Sequence, residues 1–218
     1  MKKFFNLQRF DDIEIGDGIL HSLVSGTSSD DYIENQGSMI TIKAGAGSYT
    51  VYNNDAQLAR TYLGDGNDSI DNYSSNNGII YGEAGSDTIY NRYSEKVTIS
   101  GGDGNDSISN YYGDSVSISG GAGNDTIETY YHYGNGSYKG KNVTINGGKG
   151  DDIVSLGGYA DNYDVIQYTQ GDGNDVIYGF SSYNTLRVTG KSISTMASGS
   201  DAYVFVGNDT IVLKYDAS

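Results

Sequence analysis

Aspartate returns along this chain at a fixed interval. Asp68, Asp87, Asp106 and Asp125 follow one another in steps of 19 residues. Each closes a glycine-rich run: LGDGND from Leu63, GEAGSD from Gly82, GGDGND from Gly101 and GGAGND from Gly120. Longer steps of 27 and 23 residues lead on to Asp152 in GGKGDD and Asp175 in QGDGND. The full pattern is G-G-x-G-x-D-x-apolar-x, as in Gly101 to Ser109, Gly120 to Glu128 and Gly147 to Ser155. Glycine at fixed turn positions admits positive φ and leaves carbonyl oxygens uncovered. The aspartate adds a hard, charged oxygen. Calcium takes six to eight such oxygens at about 2.3–2.6 Å. One turn holds too few, but two stacked turns hold enough, so the ion is predicted to lie between repeats. Without it, carboxylates about 5 Å apart repel one another, and folding and binding become one equilibrium.

The elements that must position these turns follow from the rest of each unit. Before the turns come short alternating runs: Met39 to Ile42, Val97 to Ile99, Val116 to Ile118 and Val143 to Ile145. After them comes one apolar residue: Ile70, Ile89, Ile108, Ile127 and Val154. Alternation predicts short strands with one buried face. Glycine is too frequent for helix, and no 3.6-residue period appears. A unit of strand, glycine turn, strand and second turn cannot bury its isoleucines alone, whereas stacking buries them in two ladders. The fold class predicted is all-β, a parallel β-solenoid with about 19 residues per turn. About ten rungs at about 4.8 Å give a rod on the order of 45 Å long. At the second corner Asn35, Asn53, Asn72, Asn91 and Asn110 share one offset, with Thr129 next in line. They predict a ladder of side-chain amides bonded from rung to rung.

Composition narrows the function. Acidic residues outnumber basic ones 28 to 13, a net charge of −15. This disfavours nucleic acid and anionic membrane and suits cations. Roughly five divalent ions would cancel about 10 of those charges. There are 32 glycines and 21 tyrosines, and no proline, cysteine or tryptophan. No disulfide, thiol nucleophile or zinc–thiolate site is available. No apolar run is long enough to span a membrane as a helix. Met1 to Phe10 begins with two lysines but lacks an apolar h-region, so no cleaved signal peptide is expected.

GGDGNDSIS, GGAGNDTIE and GGKGDDIVS resemble the nonapeptide repeats of the repeats-in-toxin (RTX) family. The resemblance spans residues 63–178 strongly and 26–62 weakly. It implies a β-roll-like solenoid that binds several calcium ions in one row. It also implies the ligands: sixth-position carboxylates of two turns, carbonyls of positions two and four on one turn, and those of one and three on the next. Carried over, one site takes Gly102, Gly104 and Asp106 with Gly120, Ala122 and Asp125. The site before it takes Glu83, Gly85 and Asp87 with Gly101, Asp103 and Asp106. The same positions add Gly64, Gly66 and Asp68, then Gly121 and Gly123, then Gly148, Gly150 and Asp152, with Asp175 last. Family rolls repeat every nine residues and line both edges, whereas one motif per turn here implies a single row. Tyr49 stands where an aspartate belongs, which puts any site there in doubt. Asp152, after its longer step, is expected to stack less regularly.

Three regions complete the reading: an N-terminal arm or cap at 1–20, the solenoid at 21–178, and a C-terminal cap at 179–218. Phe4, Phe5, Leu7 and Phe10 alternate with polar residues and are expected to cover the first rung or to join a neighbouring copy's open end. The runs Leu186 to Val188, Tyr203 to Val206 and Thr210 to Leu213 are read as antiparallel or capping strands. The resemblance implies that the tail VFVGNDTIVLKYDAS also guides export. Tyr73, Tyr93, Tyr111, Tyr112, Tyr130, Tyr131 and Tyr133 crowd the second corner as a cross-rung stack or an adhesive face. His21 and His132 lie far apart beside turn residues, and no converging catalytic set is visible, so no enzyme is expected. A carbohydrate-active module would rest on analogy alone, and the third motif position lacks the threonine array of an ice-binding face. The function expected is an extracellular or cell-surface calcium-binding structural protein, self-assembling end to end into an oligomer or filament. The alternative is a secretion, folding or glycan-binding module without assembly.

Overall fold

The structure, a computed structural model, describes residues 4–5, 12–134, 137–157 and 162–215. Among them every regular element is a strand. They form two long sheets and one small hairpin. Sheet A has ten strands, from Phe4–Phe5 to Thr185–Thr189. Sheet B has twelve, starting at Asp12–Ile15. Neighbouring strands are parallel and one repeat apart throughout the repeat region. The chain thus climbs one rung per repeat, as a right-sized glycine turn and a second turn connect the sheets alternately. This is the parallel β-solenoid that the 19-residue period implies.

Register puts like on like. In sheet B, Ile70, Ile89, Ile108, Ile127, Val154 and Ile177 stand directly above one another. In sheet A, Ile80, Ile99, Ile118, Ile145, Ile166 and Leu186 do the same. Strands alternate buried and outward residues, and the buried ones meet between the sheets. β-branched side chains fit such a pleated, half-buried surface.

The asparagine ladder is present. Asn35 donates to Asn53 at 2.9 Å, Asn72 to Asn91 at 2.9 Å and Asn91 to Asn110 at 2.8 Å, and a longer 3.4 Å contact joins Asn53 to Asn72. The second amide hydrogen of Asn72, Asn91 and Asn110 goes to the carbonyl three residues on, closing the turn. A serine row runs beside it: Ala56 N–H donates to Ser75 Oγ and Ser75 N–H to Ser94 Oγ, both at 2.8 Å. Tyrosines stack outside the same corner. Tyr111 and Tyr130 lie parallel with centroids 4.3 Å apart, and Tyr73, Tyr93 and Tyr112 follow one another at 5.7 and 5.1 Å.

One expectation is corrected and another is refined. The long step before Asp152 does not disturb stacking, because its extra residues leave the coil as the hairpin His132–Gly134 and Ser137–Lys139 at the second corner. Ser117 still meets Thr144, and Thr126 still meets Ile153. The C-terminal runs are not all antiparallel. Thr185–Thr189 extends sheet A in parallel, and Asp209–Lys214 extends sheet B in parallel. Within sheet B, Asp201–Val206 reverses direction, and Ile193–Ser198, antiparallel to it, runs with the rest of the sheet again. At the other end Phe4–Phe5 pairs in parallel with Leu23–Val24, whereas Leu7 and Phe10 lie outside the described residues, as do the side chains of His132 and Tyr133.

Asn91 donates both amide hydrogens and accepts one bond on its oxygen inside the protein, and it is fully buried. Asn91→Ala should cost on the order of 3 kcal/mol in denaturant unfolding at saturating calcium, since it orphans groups on two neighbouring rungs. Asn105→Ala, at an exposed position, should cost less than about 1 kcal/mol.

Candidate metal centre

Every glycine turn carries the chain from a sheet A strand into a sheet B strand, so all the motifs share one edge of the solenoid. Positions two and four have φ between +97° and +137° in the glycine copies from Gly64 to Gly173. Their glycines also make room. A Cβ on Gly121 would lie 2.0 Å from the Gly102 carbonyl oxygen, and one on Gly123 would lie 2.1 Å from that of Gly104. The turns therefore nest, each pressing its carbonyls against the α-carbons of the next. Glu83 holds position two of its turn at φ +78°, a conformation that costs a side-chain-bearing residue about 1–2 kcal/mol.

The aspartates form one continuous row. The position-six N–H of each turn donates to Oδ1 of the next turn's aspartate. These bonds are 2.8 Å from Asp68 to Asp87, Asp87 to Asp106, Asp106 to Asp125 and Asp125 to Asp152, and 3.1 Å from Asp152 to Asp175. The other oxygen is left over. Oδ2 of Asp68, Asp87, Asp106, Asp125 and Asp152 is buried and accepts no hydrogen bond. In the turns of Asp87, Asp106, Asp125 and Asp152 it turns in towards the position-one glycine of its own turn. A Cβ on Gly101 would meet Asp106 Oδ2 at 2.1 Å and the Gly120 carbonyl oxygen of the next rung at 2.5 Å. Gly82 repeats this with Asp87 Oδ2 and Gly101 O, both at 2.3 Å, and Gly120 with Asp125 Oδ2 and Gly147 O at 2.2 and 2.3 Å. Two oxygens converge there with no donor between them. Buried oxygens left so are costly, and a cation is what satisfies them.

The donor set fits calcium. It is all oxygen, part carboxylate and part backbone carbonyl. Among the described residues no three histidine, cysteine, aspartate or glutamate side chains converge, so most ligands must come from the backbone. Of the ligands implied by position, the fold brings the Asp106 carboxylate to the Gly120 carbonyl. The Gly102 and Gly104 carbonyls point along the stack. The position-three carbonyls are engaged, Asp103 O by Gly85 N–H at 2.8 Å and Ala122 O by Gly104 N–H at 2.7 Å. Gly64, Gly66, Gly85, Gly148 and Gly150 occupy equivalent nested places. Asp175 closes the row.

Electrostatics match this geometry. Burial pushes the carboxyls of Asp87, Asp125 and Asp175 up to about 7 and that of Asp152 to about 6, against partial relief from the N–H that each accepts. For Asp87 the charges of Asp106 and Asp68 raise it further. Asp68 and Asp106 are also raised, again by burial first.

At Tyr49 the row is plugged. The phenol is 1% exposed and its hydroxyl donates to the Thr27 carbonyl in the turn below. The ring takes the space beside Gly26 and Gly45. Asp31, one rung earlier, spends its Oδ2 on Thr27 Oγ1 at 2.7 Å. Sequence reasoning missed the fifth motif position. Asn67, Asn105, Asn124 and Asp151 each accept the N–H of the next rung's fifth residue at 2.8–2.9 Å. The signal was there, since a short polar residue fills position five in every copy from Asn67 to Asn174.

A family model described as the RTX calcium-binding nonapeptide repeat matches four stretches, residues 97–109, 113–129, 139–161 and 171–186. These repeats bind Ca2+ in the turns of the roll. No curated protein matches the chain. Among solved structures it is similar to the extracellular lipase LipA from Serratia marcescens, at 16% identity and a TM-score of 0.42. That match covers 93% of this chain, which spans only 38% of the lipase.

Two outcomes follow for the calcium-free protein and the turn. Unfolded aspartates release protons near 3.8, whereas Asp87, Asp125 and Asp175 hold theirs to about 7. The calcium-free fold therefore binds extra protons in between. Its stability should be full below the unfolded value and lost as pH rises through the folded one, as read by circular dichroism in chelator from acid to neutral pH. Secondly, Glu83→Gly should stabilise the calcium-bound protein by about 1 kcal/mol, while Gly101→Ala should raise the calcium concentration at half-folding by about tenfold or more, both measured by calcium titration.

Proposed function

We propose that this chain, whose central rungs are RTX calcium-binding nonapeptide repeats, serves outside the cell as a structural rod. Calcium switches its folding on, and the folded rods associate through their ends. The observation that carries this reading is the row of five buried carboxylate oxygens without a partner. Such a row opposes folding in a low-calcium compartment and holds the rungs together in a high-calcium one. A chain of net charge −15 can stay extended until it meets the ion, and without cysteine it has no disulfide to form on the way.

The chain's own residues divide the work. Asp68 to Asp175 supply carboxylates, each fixed by the N–H of the rung before it. Carbonyls of turn positions one to four complete the shell, as the repeat pattern places them. The glycines let two turns come close enough to share an ion. When bound, the ion supplies the positive charge that turns repulsion along the row into attraction between rungs. In the same reading, residues 1–20 form the N-terminal arm, 21–178 the calcium-binding body, and 179–218 the cap and export segment. In this reading the chain acts outside the cell and is not an enzyme.

Circular dichroism and light scattering in chelator and then in millimolar calcium test the proposal. β-structure should appear with calcium and not with equimolar magnesium, which prefers to keep its own water over a shell of fixed carbonyls. Identical spectra with and without calcium at neutral pH would refute it.

A further inference from the structure

The two sheets do not end together. Sheet A stops at Thr185–Thr189, whereas sheet B continues past Asp209–Lys214 through Asp201–Val206 to Ile193–Ser198. Among the described residues that last strand pairs with Asp201–Val206 alone, which leaves its other edge open. Ile193 lies opposite Val206, Thr195 opposite Val204 and Ala197 opposite Ala202. Directly opposed residues share a face, so Ile193, Thr195 and Ala197 continue the core face of sheet B. Val206 and Val204 are 0% and 7% exposed, yet Ile193 is 47% exposed, and all six residues of its strand are exposed. The core face runs out onto a ledge that sheet A does not roof.

The edge of this ledge is undefended. Natural sheets blunt open edges with lysine, proline, inward charges or bulges. Ile193 to Ser198 reads ISTMAS, with none of the first three. The charge pattern favours one visitor in particular. Between Val176 and Ser200 there is no acidic residue and there are two basic ones, Arg187 and Lys191. Another copy of this acidic chain is repelled along the glycine edge, but the one acidic residue on the ledge strands is Asp201, which Lys214 pairs.

We infer that the ledge is the seat of a second copy of this chain, joined tail to tail. A two-fold axis parallel to the strands sets the partner's ledge into the step that sheet A leaves, so that the two core faces cover each other. Each open edge then comes beside the partner's Thr185–Thr189. The pairing is antiparallel, because strands of the two sheets run in opposite directions. The contact uses the same patch on both copies and closes at two. The inference rests on the end-to-end association proposed above and assigns it to one end. Two strands of six residues make a ledge of about 10 by 20 Å, well below the area of a standard specific interface, so association leans on the backbone pairing of the two open edges and belongs in the micromolar range or weaker.

Sedimentation velocity in millimolar calcium, from micromolar to hundreds of micromolar protein, tests it. The wild type should move reversibly from monomer to dimer and no further. Ile193→Lys with Thr195→Lys should weaken dimerisation by about tenfold or more with an unchanged calcium-induced circular dichroism spectrum. Met196→Lys, on the other face of the strand, should leave the dimer intact. A spin label on Thr195→Cys, in a chain without native cysteine, should report a distance between copies of about 10–25 Å, one to two sheet spacings, even if the double lysine variant misfolds. A wild type that stays monomeric, grows into open-ended polymers, or shows no such distance overturns the joint. The calcium response of the spectrum is read separately, so the joint can fail while the calcium-folded rod stands.

Discussion

Five carboxylates, buried one above another with a free oxygen each, set the terms for the rest of this molecule. Like charges at rung spacing in a dry turn are unfavourable by themselves. The fold leaves two remedies, a proton or a cation, and at neutral pH the cation is the one that also binds rungs together. Other features follow from holding those oxygens in place. Oδ1 is tied to the neighbouring rung, so Oδ2 can face only inward. Position one is glycine in the copies ending at Asp87, Asp106, Asp125 and Asp152, because the carboxylate lies where a Cβ would be. Positions two and four are glycine, with Glu83 the one exception between Gly64 and Gly173, both for their φ and because the previous turn's carbonyl leaves little room.

The opposite edge solves the same stacking problem without charge. An amide both donates and accepts, so asparagine above asparagine satisfies itself and needs no ion. This difference explains where the chain takes its insertions. Ion ligands come from two successive turns, and an extra residue there would part them. The asparagine corner tolerates a break, and the hairpin His132–Lys139 leaves from it. The ladder ends at that point. Thr129 replaces asparagine, its hydroxyl pairs with Tyr131 at 2.8 Å, and Tyr131 in turn donates to Asp164. Asp164 is fully buried in the column of Val116 and Val143, its other oxygen accepts Val143 N–H at 2.9 Å, and burial pushes its carboxyl up to about 7. Tyr49 is the counterpart on the metal edge, where a phenol fills one turn and reaches the carbonyl below. In both places a tyrosine hydroxyl stands where a ladder runs out.

The sequence by itself determined the solenoid, the single metal edge and the asparagine ladder. A strict 19-residue period leaves stacking as the way to bury one isoleucine per short strand. A recurring aspartate behind glycines names a hard cation, and a recurring asparagine names a ladder, because identical side chains in identical places can interact only along the stack. Interruptions of the period were legible as positions but not as consequences. Spacing predicted less regular stacking at Asp152, yet the register holds there, since loop length matters only at the corner that absorbs it. Tertiary structure alone decided which carboxylate oxygen is spent on the backbone and which is left for a ligand. It also decided that the short polar residues at position five, visible in the sequence as a repeat, bond to one another in a row, and that sheet B outruns sheet A. The physical reason is common to all three. Each depends on the relative height of two rungs, a distance of a few ångströms set by hydrogen bonds between segments far apart in the chain.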